Sequence, residues 1–320
     1  MRLAFLFPGQ GAQRVGMGRA LAERFPAARA AFETADRVLG YPLSRVCWEG
    51  PDEELRKTVH TQPALLTHSI AALSLVEAAG LSPEWVAGHS LGEYSACVAA
   101  GSLTFEDALD LVRCRGQLMH EAGIERPGTM AAILGLSHEE VAAVCAEAAA
   151  IGVVKPANLN APGQVTISGE IPAVERACEL ARARGAQRAI RLEVGGAFHS
   201  PLMASASAGL VERLDRARIE DARCPIVLNV SAELKTSAAE IRAGLKAQLL
   251  GAVRWEDSMR SLIASGATGF LEIGSGRVLR GLLRATSRDA QAWNVEDPES
   301  LAAGVAAISL GDHLPTARRG

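Results

Sequence analysis

Paired cysteines are absent from this chain: the six present, at positions 47, 97, 114, 145, 178 and 224, are scattered without a C-x-x-C pair. That spacing argues against a metal site and against the dense framework of a small secreted scaffold, and it points to a reducing cytoplasm. Long apolar runs are also missing. The N-terminal stretch Leu3–Phe7 is too short for a signal peptide, and Pro8-Gly9-Gln10-Gly11 behind it is turn chemistry, not a cleavage region. No segment is long enough to span a bilayer, so no membrane partner is expected. Nor is there a block of Lys or Arg, and the formal net charge is only −3. A nucleic-acid partner is therefore disfavoured, for want of charge to neutralise phosphates. The local cluster Arg182, Arg184, Arg188 and Arg191 reads as a solvated face or as a contact for an acidic protein.

What is present is ample for a core: 320 residues, 48% of them hydrophobic, without repeats or low-complexity tracts. That length suits one large domain carrying a smaller one. Leu3–Phe7 reads as a buried strand closed by Pro8-Gly9, and residues 17–39 and 63–79 as helices. Residues 85–87 form a very short strand, then Gly88 opens a sharp turn into a helix over 93–99, with another over 105–121. Strands alternating with helices predict a parallel sheet covered on both faces, an α/β-hydrolase-like domain.

Between residues 127 and 194 the rhythm changes. Strand 130–134, a helix opened by the capping box Ser137-x-x-Glu140, strands 153–157 and 164–168, helix 172–184 and strand 188–194 follow in turn. That β-α-β-β-α-β order predicts a ferredoxin-like α+β insert at 127–194. The large domain is then 1–126 with 195–310, resuming through helix 201–216, strand 226–230, helix 240–250 and strand 270–273, and 311–320 is expected to be a loose tail.

Gly88-His89-Ser90-Leu91-Gly92 is a G-x-S-x-G sequence between a strand and a helix. In a nucleophile elbow the serine sits on a tight turn, and flanking glycines are needed where side chains would clash. The Leu91 N–H at the helix N-terminus is suited to holding an oxyanion. A serine needs a base, and His199 lies in the Gly195–Pro201 loop between a strand end and a helix start, where catalytic groups tend to sit. Pattern alone leaves this histidine open between a base and an ordinary loop residue. A dinucleotide-binding reading of Gly9-x-Gly11 fails, because the third glycine and the acid ending a following strand are both missing.

Several segments together resemble the malonyl-CoA:acyl carrier protein transacylase family: Phe7-Pro8-Gly9-Gln10-Gly11, Gly88 to Tyr94, Arg115-Gly116-Gln117-Leu118-Met119, Asn158-x-Asn160 with Pro162-Gly163-Gln164, Ala197-Phe198-His199-Ser200-Pro201, and Asn294-Val295. They are spread over nearly the whole chain in the family's order. The resemblance implies malonyl transfer from malonyl-CoA to the phosphopantetheine thiol of acyl carrier protein for fatty acid synthesis, by a ping-pong route through an ester on Ser90. It implies His199 as base and the Gln10 and Leu91 amides as oxyanion hole. Arg115 would grip the acyl carboxylate, Phe198 would crowd an α-methyl group, and Met119, Asn158 and Asn160 would line the substrate site. A carbonyl at Gln248 would orient the histidine, although Ala252 stands where the family usually has proline. As a side chain, a glutamine near a helix end reads as surface. Metal and redox cofactors are not implied, and a monomer is the default. Two rivals stay open: a serine hydrolase, which expects an acid between serine and histidine and an HGG-type oxyanion loop, and a non-catalytic carrier-binding module. Within the transferase class, a polyketide acyltransferase or a malonate decarboxylase component shares the same site.

Overall fold

The computed structural model describes residues 1–311. Beyond Gly311, the tail expected at 311–320 lies outside the described residues. Among the described residues ten strands form two sheets, numbered here in chain order.

The larger sheet contains β1 (Leu3–Phe7), β2 (Trp85–Gly88), β7 (Ile226–Val227), β8 (Leu234–Lys235), β9 (Gly269–Ile273) and β10 (Gln291–Val295). Their order is β10-β9-β1-β2-β7-β8, parallel throughout except for β8, which runs antiparallel to β7. Every residue of β1 is buried, as a strand covered on both faces requires. The chain leaves β1 toward β2 on one side and later returns to β9 on the other, so β1 marks a switch point of the sheet. Ligand crevices form at such points, beyond the carboxyl ends of the strands. Phe7 pairs with Gly88, and this register puts the Pro8–Gly11 loop beside the Ser90 turn.

The second sheet has order β4-β5-β3-β6, built from β3 (Thr129–Leu134), β4 (Val154–Ala161), β5 (Gln164–Gly169) and β6 (Arg188–Arg191), all pairs antiparallel. With helices His138–Ala148 and Ile171–Ala183 it has the ferredoxin-like order and a core of its own, which includes Ile133, Val144, Ile167 and Val174. Backbone bonds tie β4 to a loop of the larger lobe: Leu159 N–H donates to Val253 O at 2.8 Å and Val253 N–H to Ala157 O at 2.8 Å.

Several expected elements have different bounds. The helix over 17–39 is two, Arg19–Arg24 and Pro26–Leu39, because Pro26 starts a new helix and holds Phe25 extended. The helix expected from Pro63 begins at Thr58 and accommodates the proline inside. Strand β6 stops at Arg191 rather than 194, and β7 at Val227 rather than 230. The helix expected over 240–250 spans Ala238–Gln248. Helices at Trp255–Ala264, Val278–Thr286 and Pro298–Gly311 complete the chain.

Candidate active site

Ser90 sits at the turn between β2 and helix Gly92–Ala99, with φ of 51°, the left-handed region. The flanking glycines are required by close approach: a Cβ on Gly88 would lie 1.9 Å from the Gly92 carbonyl group, and one on Gly92 would lie 2.1 Å from Phe7 O. Asn229 clamps the turn from behind. Its Oδ1 accepts from Ser90 N–H at 2.7 Å, and its Nδ2 donates to Gly88 O at 2.7 Å.

His199 meets Ser90 from the loop after β6, its Nε2 lying 2.8 Å from Ser90 Oγ. Its Nδ1 lies 2.9 Å from Gln248 O and 3.1 Å from Gly251 O. Carbonyl oxygens only accept, so Nδ1 carries the proton and Nε2 is the acceptor for the Ser90 hydroxyl. Burial, reinforced by the Arg115 charge, pushes the imidazole down to about 3, so it is neutral and open to a proton at neutral pH. The missing proline at Ala252 does not displace this carbonyl pair. Gly251 N–H donates to Ala247 O at 3.0 Å, and Lys155 Nζ donates to Leu250 O at 3.1 Å, which together with the Ala157–Val253 bond holds the turn.

Arg115, on the helix Phe105–Glu125, is 1% exposed. Its Nη1 donates to Gln62 Oε1 at 2.8 Å, and its Nη2 to Gln248 Oε1 at 3.0 Å and to Ser90 Oγ at 3.1 Å. All three acceptors are neutral, so a guanidinium is held at the nucleophile without a direct carboxylate partner among them. The Gln248 side chain is thus buried and bonded, and the surface placement read from its helix-end position is corrected. Its two functional ends lie inside the site, the carbonyl on His199 and the amide on Arg115.

These groups face a cavity of about 330 Å³, lined by Gln10, Leu91, Met119, Phe198, Asn158 and Asn160 along with Ser90, Arg115 and His199. The Gln10 and Leu91 N–H groups make no hydrogen bond among the described residues and flank the serine. Met119 Sδ accepts from Gln62 Nε2 at 3.1 Å. Asn158 and Asn160 alternate along β4, so both reach the same cleft. Asn160 Oδ1 accepts from His89 Nε2 at 2.8 Å, and its Nδ2 donates toward Thr166 Oγ1. Burial lowers the His89 pKa and keeps that ring neutral. Val278, Leu279 and Leu282 form part of the mouth.

Gln62, Glu93 and Asn229, not among the candidates above, are buried polar residues behind the reacting groups. Asn229 stands between Leu228 and Val230, a weak signal of a buried polar role, whereas Gln62 follows His60-Thr61 and carries no such signal. No cluster of His, Cys, Asp and Glu fit to hold a metal occurs among the described residues.

A half-buried serine paired with a buried histidine beside two free amides, on a parallel sheet with a ferredoxin-like lobe, defines an acyl-transferring active site. The family model described as "Acyl transferase domain" matches residues 4–302. A malonyl CoA-acyl carrier protein transacylase of Bacillus subtilis (strain 168) is 50% identical over 301 residues, covering 94% of this chain and 95% of that protein. The crystal structure of an acyl-carrier-protein S-malonyltransferase from Burkholderia pseudomallei 1710b superposes with a TM-score of 0.92 at 42% identity, covering 96% of this chain and all (100%) of that one. A malonyl-transacylase solved in complex with its type II PKS acyl-carrier protein gives 0.93 at 42% identity, with 96% and 100% covered. The chain is an acyltransferase. More narrowly, it belongs to the malonyl-CoA:acyl carrier protein transacylase family.

Proposed function

We propose that the protein moves a malonyl group from malonyl-CoA to the phosphopantetheine thiol of acyl carrier protein, supplying fatty acid synthesis through a malonyl ester on Ser90. The observation that carries this reading is the Arg115 guanidinium 3.1 Å from Ser90 Oγ with only neutral hydrogen-bond acceptors. A planar fork in that place suits an acyl group ending in a carboxylate. Such a charge-assisted pair is worth roughly 1.5–3 kcal/mol, enough for more than about tenfold preference over a neutral acyl group.

In the first half-reaction the Ser90 proton passes to His199 Nε2 while Oγ attacks the thioester carbon. The tetrahedral oxyanion is met by the Gln10 and Leu91 amides. The C–S bond then breaks, and the coenzyme A thiolate leaves with the proton held by His199. In the second half the carrier's thiol gives its proton to His199, attacks the ester carbon, and Ser90 Oγ leaves and is reprotonated. No metal or redox step enters this scheme. Phe198, 6% exposed, walls the cavity next to the base and disfavours a branched acyl group by roughly 1–3 kcal/mol. One chain supplies every group this scheme uses, so the chemistry needs no second copy, and the free cysteines support a reducing compartment such as the cytoplasm.

Intact-mass measurement after exposure to malonyl-CoA tests the first half: the wild type should gain a malonyl mass that Ser90→Ala does not. Adding acyl carrier protein should discharge it onto the carrier. Free malonate as the main product with carrier present would favour a hydrolase instead, and the absence of any adduct would leave a carrier-binding module. A polyketide carrier run in parallel tests the assignment to fatty acid synthesis, which fails if that carrier is preferred.

A further inference from the structure

Behind the nucleophile lies one carboxylate that the proposed reaction leaves unused. Glu93 is wholly buried in the first turn of helix Gly92–Ala99. Its Oε2 accepts from Gln248 Nε2 at 2.6 Å and from Asn229 N–H at 3.4 Å. Gln248 Nε2 also donates to the Ser90 backbone carbonyl at 2.8 Å. Both of its partners are acceptors, so both require the NH2 end of the amide. That leaves Gln248 Oε1 turned toward Arg115, where it accepts from Nη2 at 3.0 Å. Turned over, the amide would set its NH2 against a guanidinium that only donates, and its oxygen against two acceptors.

We propose that Glu93 is a positioning residue for acyl selectivity: through Gln248 it holds Arg115 with Nη2 aimed at Ser90 Oγ, where a carboxylate-bearing acyl group is gripped. This rests on the malonyl-transfer reading above. The arrangement keeps the Glu93 carboxyl group near Arg115 without a direct pair, so the fork stays open to the substrate's carboxylate. Burial pushes the Glu93 carboxyl up to about 7, against the hydrogen bonds from Gln248 and Asn229 and the Arg115 charge. A proton taken up belongs on Oε1, which has no hydrogen-bond partner among the described residues, so Oε2 stays an acceptor in both states.

The test compares Ser90 acylation by malonyl-CoA and by acetyl-CoA in the wild type, Glu93→Gln and Glu93→Met, each also in an Arg115→Ala background. Glu93→Met should lower the malonyl-to-acetyl rate ratio about tenfold, equivalent to about 1.4 kcal/mol, and leave the acetyl rate nearly unchanged. Glu93→Gln keeps an acceptor at that place and should restore most of the ratio. With Arg115→Ala present, Glu93→Met should change the ratio no further, because its effect travels through the arginine. An unchanged ratio, equal loss on both acyl groups, a Gln variant as unselective as the Met variant, or a further drop without Arg115 would each overturn the role. If circular dichroism shows Glu93→Met unfolded, Glu93→Ala is read in the same way. A wild type that takes no malonyl, or shows no preference for it, sinks the malonyl-transfer reading. A wild type that prefers malonyl, with a Glu93→Met that prefers it equally, sinks only the positioning role.

Discussion

At the residue scale, the nucleophile is strained and something has to offset the strain. Ser90 and His199 both have positive φ, 51° and 59°, although neither is glycine. Such backbone costs about 1–3 kcal/mol at each position and persists only where the surroundings over-determine it. For Ser90 that support is Asn229, which is 1% exposed and bonded to both sides of the turn. Asn229→Ala should cost about 2–3 kcal/mol in urea unfolding, since a buried N–H and a buried carbonyl both lose their partner. Asn229→Asp should be no better, because a carboxylate oxygen would then face Gly88 O. A loss below about 0.5 kcal/mol for either variant, the size of an ordinary surface substitution, would show the elbow holding itself. Ser90 was legible from its glycine-flanked turn, and His199 and Arg115 from segments that resemble the family. Asn229, Glu93 and Gln62 were not, since a buried polar residue looks like a surface one until its partner, 139 positions away for Asn229 and Ser90, folds against it.

At the element scale, the turn that ends the helix Ala238–Gln248 carries the carbonyls that hold the base His199, and it is held from the other lobe. Lys155 on β4 donates to Leu250 O, between the two carbonyls that hold His199. Burial lowers the Lys155 pKa, as expected of an ammonium drawn from water toward a carbonyl. Lys155→Met keeps the stem and removes the donor. It should slow Ser90 acylation about fivefold, about 1 kcal/mol, and leave the malonyl-to-acetyl ratio unchanged, because the loss falls on His199 and not on Arg115. Single-turnover acylation by both thioesters checks this, and an unchanged rate would mean the backbone bonds to Ala157 and Val253 suffice. Element types followed from periodicity wherever one face met water, as in helix Ile171–Ala183. Bounds failed where proline or tertiary packing overrode the pattern: Phe25-Pro26 breaks a helix that the apolar spacing alone runs straight through.

At the scale of the whole molecule, the helix Thr58–Ala78 joins parts far apart in sequence. It is buried on all sides, and the polar residues Gln62 and His68 within it serve the active site and the C-terminal region respectively. His68 Nε2 lies 2.9 Å from Glu296 O, just past β10. A carbonyl only accepts, so Nε2 holds the proton and Nδ1 is bare, with no hydrogen-bond partner among the described residues. Protonating Nδ1 would add a donor with no acceptor and would bury a charge. Burial accordingly pushes His68 down to about 4, against the Glu296 carbonyl and carboxylate and Asp297, which raise it, and with Arg14, which lowers it further. In the unfolded chain the same ring titrates near about 6.5. Between those values the unfolded state binds the extra proton, so the His68 contribution to stability falls as pH drops from about 6.5 toward 4. His68→Leu removes this component and leaves the other buried groups in place. The stability difference between the two proteins should therefore shift toward the variant as pH falls through that window, by up to about 3 kcal/mol. It should stay constant above pH of about 7, where His68 is neutral in both states. Urea unfolding at a series of pH values reads this directly, and parallel stability curves for the two proteins would mean that His68 is free to take its proton in the folded chain.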